Sequence, residues 1–261
     1  MVAARTNHAF HDAVLPFAMA HRGGAGYPPN IGIENTMRAF ATAWRDGIRG
    51  FETDVRASRD GVAVVVHDAR LDRLCGVPHA VKELTWDELS RLRVDGREPL
   101  PRLDELLVAF PDALINVDIK ADNAVLPTLS AVAAADARDR VCLATFADRR
   151  IRRIRRLAVG QATSCSSLEV ALLRFGPTPW VWGTAARRGA VAAQVPPRTR
   201  GITVVTAGLV RRAHAAGLQV HVWGADDLST MRAMLDLGVD ALITDRIDLV
   251  GSALAERRGA R

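Results

Sequence analysis

His21 and Arg22, followed by glycines at 23, 24 and 26, close the apolar run Phe17 to Ala20. The run reads as a short buried strand opening onto a phosphate-sized loop. An imidazole moves a proton near neutral pH, a guanidinium grips a phosphate through two parallel hydrogen bonds, and glycine lets backbone amides come close. A strand end followed by a flexible turn gives the same string, so the remaining polar clusters decide its meaning. Glu52 and Asp54 stand two apart in Gly50 to Val55, which puts both carboxylates on one face while Phe51, Thr53 and Val55 take the other. Like charges that close need a cation or a shared proton. Asn116, Asp118 and Lys120 repeat the alternation in a second apolar run, and Asp118 supplies a third oxygen. An all-oxygen set of Glu52, Asp54 and Asp118, completed by waters, suits Mg2+ or Ca2+, with Mn2+ also accepted, far better than zinc. Lys120 places a compact charge beside such an ion to neutralise a phosphate oxygen. His67, with Asp68, ends the run Val62 to Val66. Two histidines flanking a metal-held phosphodiester divide the labour, one attacking or deprotonating and the other protonating the departing alcohol. Trp223, at the end of another apolar run, walls the alcohol portion. The remaining histidines read as incidental: His8 and His11 lie in the leader, His79 in a loop, His214 on a helix, and His221 has no carboxylate nearby in sequence.

Positioning these residues requires their runs to be strands of one sheet. β-rich runs recur at Phe17 to His21, Gly50 to Val55, Val62 to His67, Ala113 to Ile119, Val141 to Phe146, Gln161 to Ser166, Ala190 to Val195, Leu218 to Trp223 and Ala241 to Thr244. Helical patterns fill the intervals: Thr36 to Asp46, Thr85 to Arg91, Leu103 to Ala109, Ala124 to Ala135, Arg149 to Leu157, Ala207 to Ala216 and Leu228 to Leu237. Strand and helix in alternation predict a parallel sheet, here an α/β fold of the (β/α)8 or TIM-barrel class, with catalytic groups at the carboxyl ends of the strands. Val62 to His67 is the extra strand. It follows Gly50 to Val55 closely, through the turn Ser58-Arg59-Asp60-Gly61, and so short a connection makes an antiparallel hairpin. The expected organisation is a leader over 1–16, a single barrel domain over 17–255 with an insertion near 70–101 over its mouth, and a frayed tail over 256–261. The nearest thing to a linker is Phe175 to Pro179.

The 261 residues, 49% apolar and 25% charged, suit one soluble domain and exclude a disordered chain. No apolar stretch approaches the roughly 20 residues of a bilayer span, and Met1 to Pro16 lacks the apolar segment of a signal peptide, which predicts a cytoplasmic protein. Cys75, Cys142 and Cys165 have no CxxC spacing and read as small buried thiols. The net charge of +6 is carried almost wholly by arginine and favours anionic partners. Its densest cluster, Arg149 to Arg156, alternates with Ile151 and Ile154 as a helix with a solvated arginine face does. With no nucleic-acid motif and few aromatic platforms, a nucleic-acid partner is not expected.

The ordered motifs resemble the glycerophosphodiester phosphodiesterase family from about His21 to Asp245. His21-Arg22-Gly23 is similar to the family's HRG, Glu34-Asn35-Thr36 to its ENT, Glu52-x-Asp54-Val55 to its ExDV, Asp60-Gly61 to its DG and His67-Asp68 to its HD. Asp118-Ile119-Lys120 answers EIK, Val222-Trp223 answers VW, and Gly238-Val239-Asp240 with Ile243-Thr244-Asp245 answers the closing GVDGIITD. The resemblance implies a TIM barrel, a metal held by Glu52, Asp54 and Asp118, acid/base or nucleophilic roles for His21 and His67, and phosphate contacts from Arg22 and Lys120. It further implies hydrolysis of a glycerophosphodiester to glycerol 3-phosphate and an alcohol, within lipid and glycerol metabolism. Ile33 stands where the family has proline, Asp118 where it has glutamate, and Gly224-Ala225-Asp226 where it more often has threonine and asparagine. Glu34 is expected to hold Arg22 or to cap the following helix. Two alternatives remain: a phosphodiesterase like sphingomyelinase D or lysophospholipase D, and a non-catalytic barrel that binds phosphate. Paired proton carriers argue against the last, because binding alone has no need of them.

Overall fold

The computed structural model describes residues 8–259. Among them, nine strands form one sheet: β1 (Phe17–His21), β2 (Gly50–Ala57), β3 (Ala63–Val65), β4 (Leu114–Ile119), β5 (Val141–Ala144), β6 (Thr163–Ser164), β7 (Ala190–Val195), β8 (Gln219–Trp223) and β9 (Ala241–Thr244). Eight run parallel in the order β1-β9-β8-β7-β6-β5-β4-β2, and β1 pairs with β2 to close a (β/α)8 barrel. β3 is the antiparallel extra, with Val55 opposite Val65 and Ala57 opposite Ala63. The main outer helices are α2 (Met37–Arg45), α3 (Leu103–Ala109), α4 (Val125–Ala134), α5 (Asp148–Leu157), α6 (Ser167–Phe175), α7 (Ala207–Ala215), α8 (Leu228–Asp236) and α9 (Ile247–Gly259). A shorter helix, α1 (Ala9–Asp12), precedes β1.

Alternation along β2 sorts the layers. Phe51 points outward into an aromatic cluster with Phe40 at 5.2 Å and Phe110 at 5.1 Å, all three buried. Glu52 and Asp54 point inward instead. Packing of this kind drives the helices onto the barrel, and cutting Phe51 to alanine costs about 3–5 kcal/mol. Below the polar residues the barrel is plugged by α1: Phe10, fully buried, packs among Met19, Cys142, Ala192 and Ile243. Gln219 Nε2 donates to Phe10 O at 2.6 Å. The residues first set apart as a leader thus include, from His8 on, part of the barrel floor. Met1 to Asn7 lie outside the described residues, as do Ala260 and Arg261 of the tail. Within that tail Glu256 ion-pairs with Arg232 from α8 at 2.8 Å.

Residues 70–101 carry the short helices Asp72–Cys75 and Trp86–Ser90 over a separate small core that includes Val64, Val66, Leu71, Leu74 and Leu89. α6 has no counterpart among the helices expected from the sequence. Its signal was present: Ser166 accepts from Glu169 N while the Glu169 side chain takes Ser166 N, a capping box readable as S-x-x-E. β6 is shorter than the run Gln161 to Ser166, because its register with β7 shifts between Thr163 and Ser164, where Arg155 takes Ser164 O. No helix among the described residues is long and apolar enough to cross a membrane.

Candidate active site

Register assembles the polar groups. His21 is the pairing partner of Glu52, Glu52 of Asn116, and Asp54 of Asp118, so residues far apart in sequence stand side by side at the carboxyl ends of β1, β2 and β4. They line a cavity of about 220 Å3 together with Arg22, His67, Lys120 and Trp223. The turn that carries Arg22 is tightly held. Arg22 sits at φ 51, a costly region for a residue with a Cβ, and is pinned by Arg22 N to Glu52 O at 2.9 Å and Asn35 N to Arg22 O at 2.8 Å. Gly23 follows at φ 85, where an added Cβ meets that of Ala39 at 2.7 Å, so only glycine lets the loop lie on α2.

Each nominated histidine has a carboxylate on Nδ1. His21 Nδ1 donates to Asp245 Oδ1 at 2.9 Å, and His67 Nδ1 to Asp68 Oδ1 at 2.7 Å. A carboxylate only accepts, so Nδ1 carries a hydrogen and Nε2 is the ring nitrogen the carboxylate leaves unengaged. In His21 that Nε2 lies 3.7 Å from Glu52 Oε2. Burial opposes charge on His21, but Glu52 and then Asp245 outweigh it and push its pKa up to about 9. Burial, then Asp54 and Asp118, push the Glu52 carboxyl up to about 8 against the pull of His21 and Lys120.

Lys120 Nζ bridges Asp54 Oδ1 at 2.7 Å and Asp118 Oδ2 at 2.6 Å, and the two aspartates hold the ammonium charged despite its burial. Asp54 also takes Asn35 Nδ2 at 3.0 Å and faces Arg22 Nε at 3.2 Å. Lys120 foremost, then Arg22, keep its carboxyl below the usual range against the cost of burial. Lys120 therefore occupies the space between two of the three proposed ligands. Among the described residues no group of three or more His, Cys, Asp or Glu side chains stands in a metal-holding arrangement. Glu52 differs: among the described residues its Oε2 is buried with no hydrogen-bond partner. A buried carboxylate oxygen without a donor fits a cation, and the all-oxygen donor set around it fits a hard one.

Glu34 stands behind the cavity. Its Oε1 accepts from Arg22 Nη1 at 3.1 Å, and both oxygens accept from Arg73 at 2.8 Å, while the cap of α2 is Thr36. Arg73 also donates to Asp68 Oδ2 at 2.7 Å, and with His67 it drives the Asp68 carboxyl down to about 2. One guanidinium thus ties the partner of Arg22 to the partner of His67. Sequence reasoning nominated neither Arg73, in the insertion with no strand-end signal, nor Asp245, whose place just after β9 was the available clue. Asn35, which holds Asp54 and accepts from Thr53 Oγ1 at 2.8 Å, was missed too.

The opposite wall carries no charge: Phe146 and Trp223 meet edge to face at 6.2 Å, with Ala144 and Ile243 and the neutral polar Thr145, Ser164 and Gln194 also lining the cavity. Among the described residues Trp223 Nε1 is buried without a hydrogen-bond partner. Cys165 lines this wall as a buried thiol, its pKa pushed up by burial, and Cys142 lies buried beneath.

Barrel, pocket and strand-end chemistry define a (β/α)8 enzyme. The chain matches the glycerophosphoryl diester phosphodiesterase family over residues 21–249. It is 38% identical to "Probable glycerophosphodiester phosphodiesterase 2" of Mycobacterium tuberculosis, covering 92% of this chain and 91% of that one. Its fold is similar to the crystal structure of a glycerophosphodiester phosphodiesterase from Agrobacterium tumefaciens, with TM-score 0.75, 22% identity and coverage of 92% and 100%. It is similar also to an Oleispira antarctica phosphodiesterase in complex with the product sn-glycerol-3-phosphate, with TM-score 0.76, 20% identity and coverage of 92% and 97%. The chain belongs to the glycerophosphoryl diester phosphodiesterase family and is a phosphoric diester hydrolase.

Proposed function

We propose that the protein hydrolyses glycerophosphodiesters to glycerol 3-phosphate and an alcohol, with His21 and His67 as its proton carriers. The observation that carries this reading is the pair of histidines, each with Nδ1 held by an aspartate, that open onto one cavity with Arg22 and Lys120. The product complex of the Oleispira relative supports the choice of product. Arg22 and Lys120 grip the phosphate oxygens and oppose the charge that develops on them. One histidine takes a proton from the attacking water or from a neighbouring glycerol hydroxyl, and the other returns one to the departing alcohol. Trp223 and Phe146 enclose that alcohol and keep water from it. Glu52, Asp54 and Asp118 would hold a divalent ion, Mg2+, Ca2+ or Mn2+, which when bound polarises the phosphoryl oxygens. The orphaned Glu52 oxygen is what supports it.

Release of glycerol 3-phosphate from glycerophosphocholine and glycerophosphoethanolamine, with each metal and with chelator, tests the reading. Turnover that chelation abolishes is expected. Absence of turnover with every metal overturns the substrate, and full turnover in chelator overturns the metal.

A further inference from the structure

Three successive segments at the mouth, following β5, β6 and β7, each leave a large apolar side chain in water: Phe146 in the loop after β5 at 57% exposure, Leu168 in the first turn of α6 at 47%, and Ile202 at 53%. β5, β6 and β7 are neighbours in the barrel, so these segments share one arc of its rim. Ile202 belongs to a small hairpin, Arg198–Thr199 with Ile202–Thr203, that rises after β7. The same segments expose Arg149, in the first turn of α5, and Arg198 and Arg200, in the hairpin. None of the three makes an ion pair among the described residues. The carboxylates of the arc are already engaged: Asp148 with Arg152 at 2.5 Å, and Glu169, buried, with Arg155 at 2.6 Å. In the next loop, after β8, Asp226 accepts from Thr244 and Asp227 caps α8. The uncompensated charge of this arc is therefore positive, and it is interleaved with apolar side chains.

We propose that this arc seats the mouth of the barrel on an anionic lipid bilayer. Exposed apolar groups grouped with cations are what a headgroup boundary accepts, the former entering the acyl edge and the latter pairing with phosphates. A second copy of this chain is a poor occupant, because at net charge +6 it presents the same arginines to itself. The proposal rests on the mouth being the active site argued above, since docking there delivers a lipid-derived phosphodiester to it.

Sedimentation with vesicles of phosphatidylcholine alone, and of phosphatidylcholine mixed with phosphatidylglycerol, tests it with the full chain. Binding to the mixed vesicles, weakened by salt, is expected. The double variant Arg198→Ser, Arg200→Ser lowers it by roughly 30-fold, at about 1 kcal/mol for each cation at the surface. Leu168→Ser with Ile202→Ser lowers it on both vesicle types. Turnover of water-soluble glycerophosphocholine stays at the wild-type rate in both variants, which also reports that they fold. No binding by the wild type, or binding that ignores both pairs of substitutions, overturns the proposal, as does a concentration-dependent dimer that the same substitutions dissolve. A wild type that binds vesicles but hydrolyses no diester refutes the proposed function and leaves the docking surface standing.

Discussion

The two halves of the mouth are built on different principles. Around β1, β2, β3 and β4 most of the charged groups are tied to one another: His21 to Asp245, His67 to Asp68, Arg22 to Glu34, and Arg73 to both Glu34 and Asp68, with Glu52 Oε2 the exception. Around β5, β6 and β7 the wall carries no charged side chain, only Ala144, Thr145, Phe146, Ser164, Cys165 and Gln194, and the exposed Arg149, Arg198 and Arg200 above it make no ion pair among the described residues. The first half holds charge in fixed geometry, as stabilising a phosphoryl transition state demands. The second carries no charge to hold in place, and under the proposed function it faces the departing alcohol. Rate is expected to reside in one half and preference for the alcohol in the other.

The severest challenge to that division is Lys120→Ala. It leaves Asp54 and Asp118 facing each other in a buried site, so stability drops by about 3–5 kcal/mol in urea unfolding and turnover falls by at least about a hundredfold. Added Mg2+ or Ca2+ restores part of the stability, whereas an unchanged unfolding midpoint means the lysine is no counter-ion. His221 concerns the floor common to both halves. It is fully buried between Gln219 and Gln194, and burial lowers its pKa to about 3 from an ordinary 6.5. The unfolded chain then binds the extra proton between those values, so stability falls as pH drops from 6.5 towards 3, by about 1.4 kcal/mol per unit. His221→Gln removes that slope from the pH dependence of unfolding; an equal slope in the variant assigns it elsewhere.

Arg73→Ala sharpens the comparison from within the charged half. Arg73 reaches the site only through Glu34 and Asp68, so kcat falls by about tenfold, with KM nearly unchanged and partial recovery in Arg73→Lys. A rise in KM alone places Arg73 on the substrate. The smallest effect belongs to the other half. Phe146→Ala removes an aromatic face able to meet a quaternary ammonium, and raises KM for glycerophosphocholine by about fivefold, with kcat intact and glycerophosphoethanolamine affected less. A loss of kcat with both substrates erases the distinction between the halves.

Much of the charged half was legible because strand periodicity is local. Glu52 and Asp54, and likewise Asp118 and Lys120, had to share a face once their runs were strands, and all four line the cavity. The short turn at Ser58 to Gly61 fixed β3 as antiparallel. Asp245 meets His21 across 224 residues, and Arg73 meets Glu34 across 39, contacts that no spacing rule contains. The lysine between the carboxylates was also out of reach. Alternation put Lys120 and Asp118 on one side of β4, yet only the register of β2 with β4 brings Asp54 to the same ammonium. The helix α1 was hidden for another reason: it is four residues long and held by tertiary burial of Phe10 rather than by any periodic pattern.

The proposed catalysis turns on His21 and His67 acting as a pair. Release of glycerol 3-phosphate from glycerophosphocholine should be compared in the wild type, His21→Ala, His67→Ala and the double variant, at saturating divalent metal. Each single variant should lose about a hundredfold to ten-thousandfold in kcat, and the double variant should lose little more than the worse single one. Turnover close to wild type in either single variant contradicts the pair and, with it, the site.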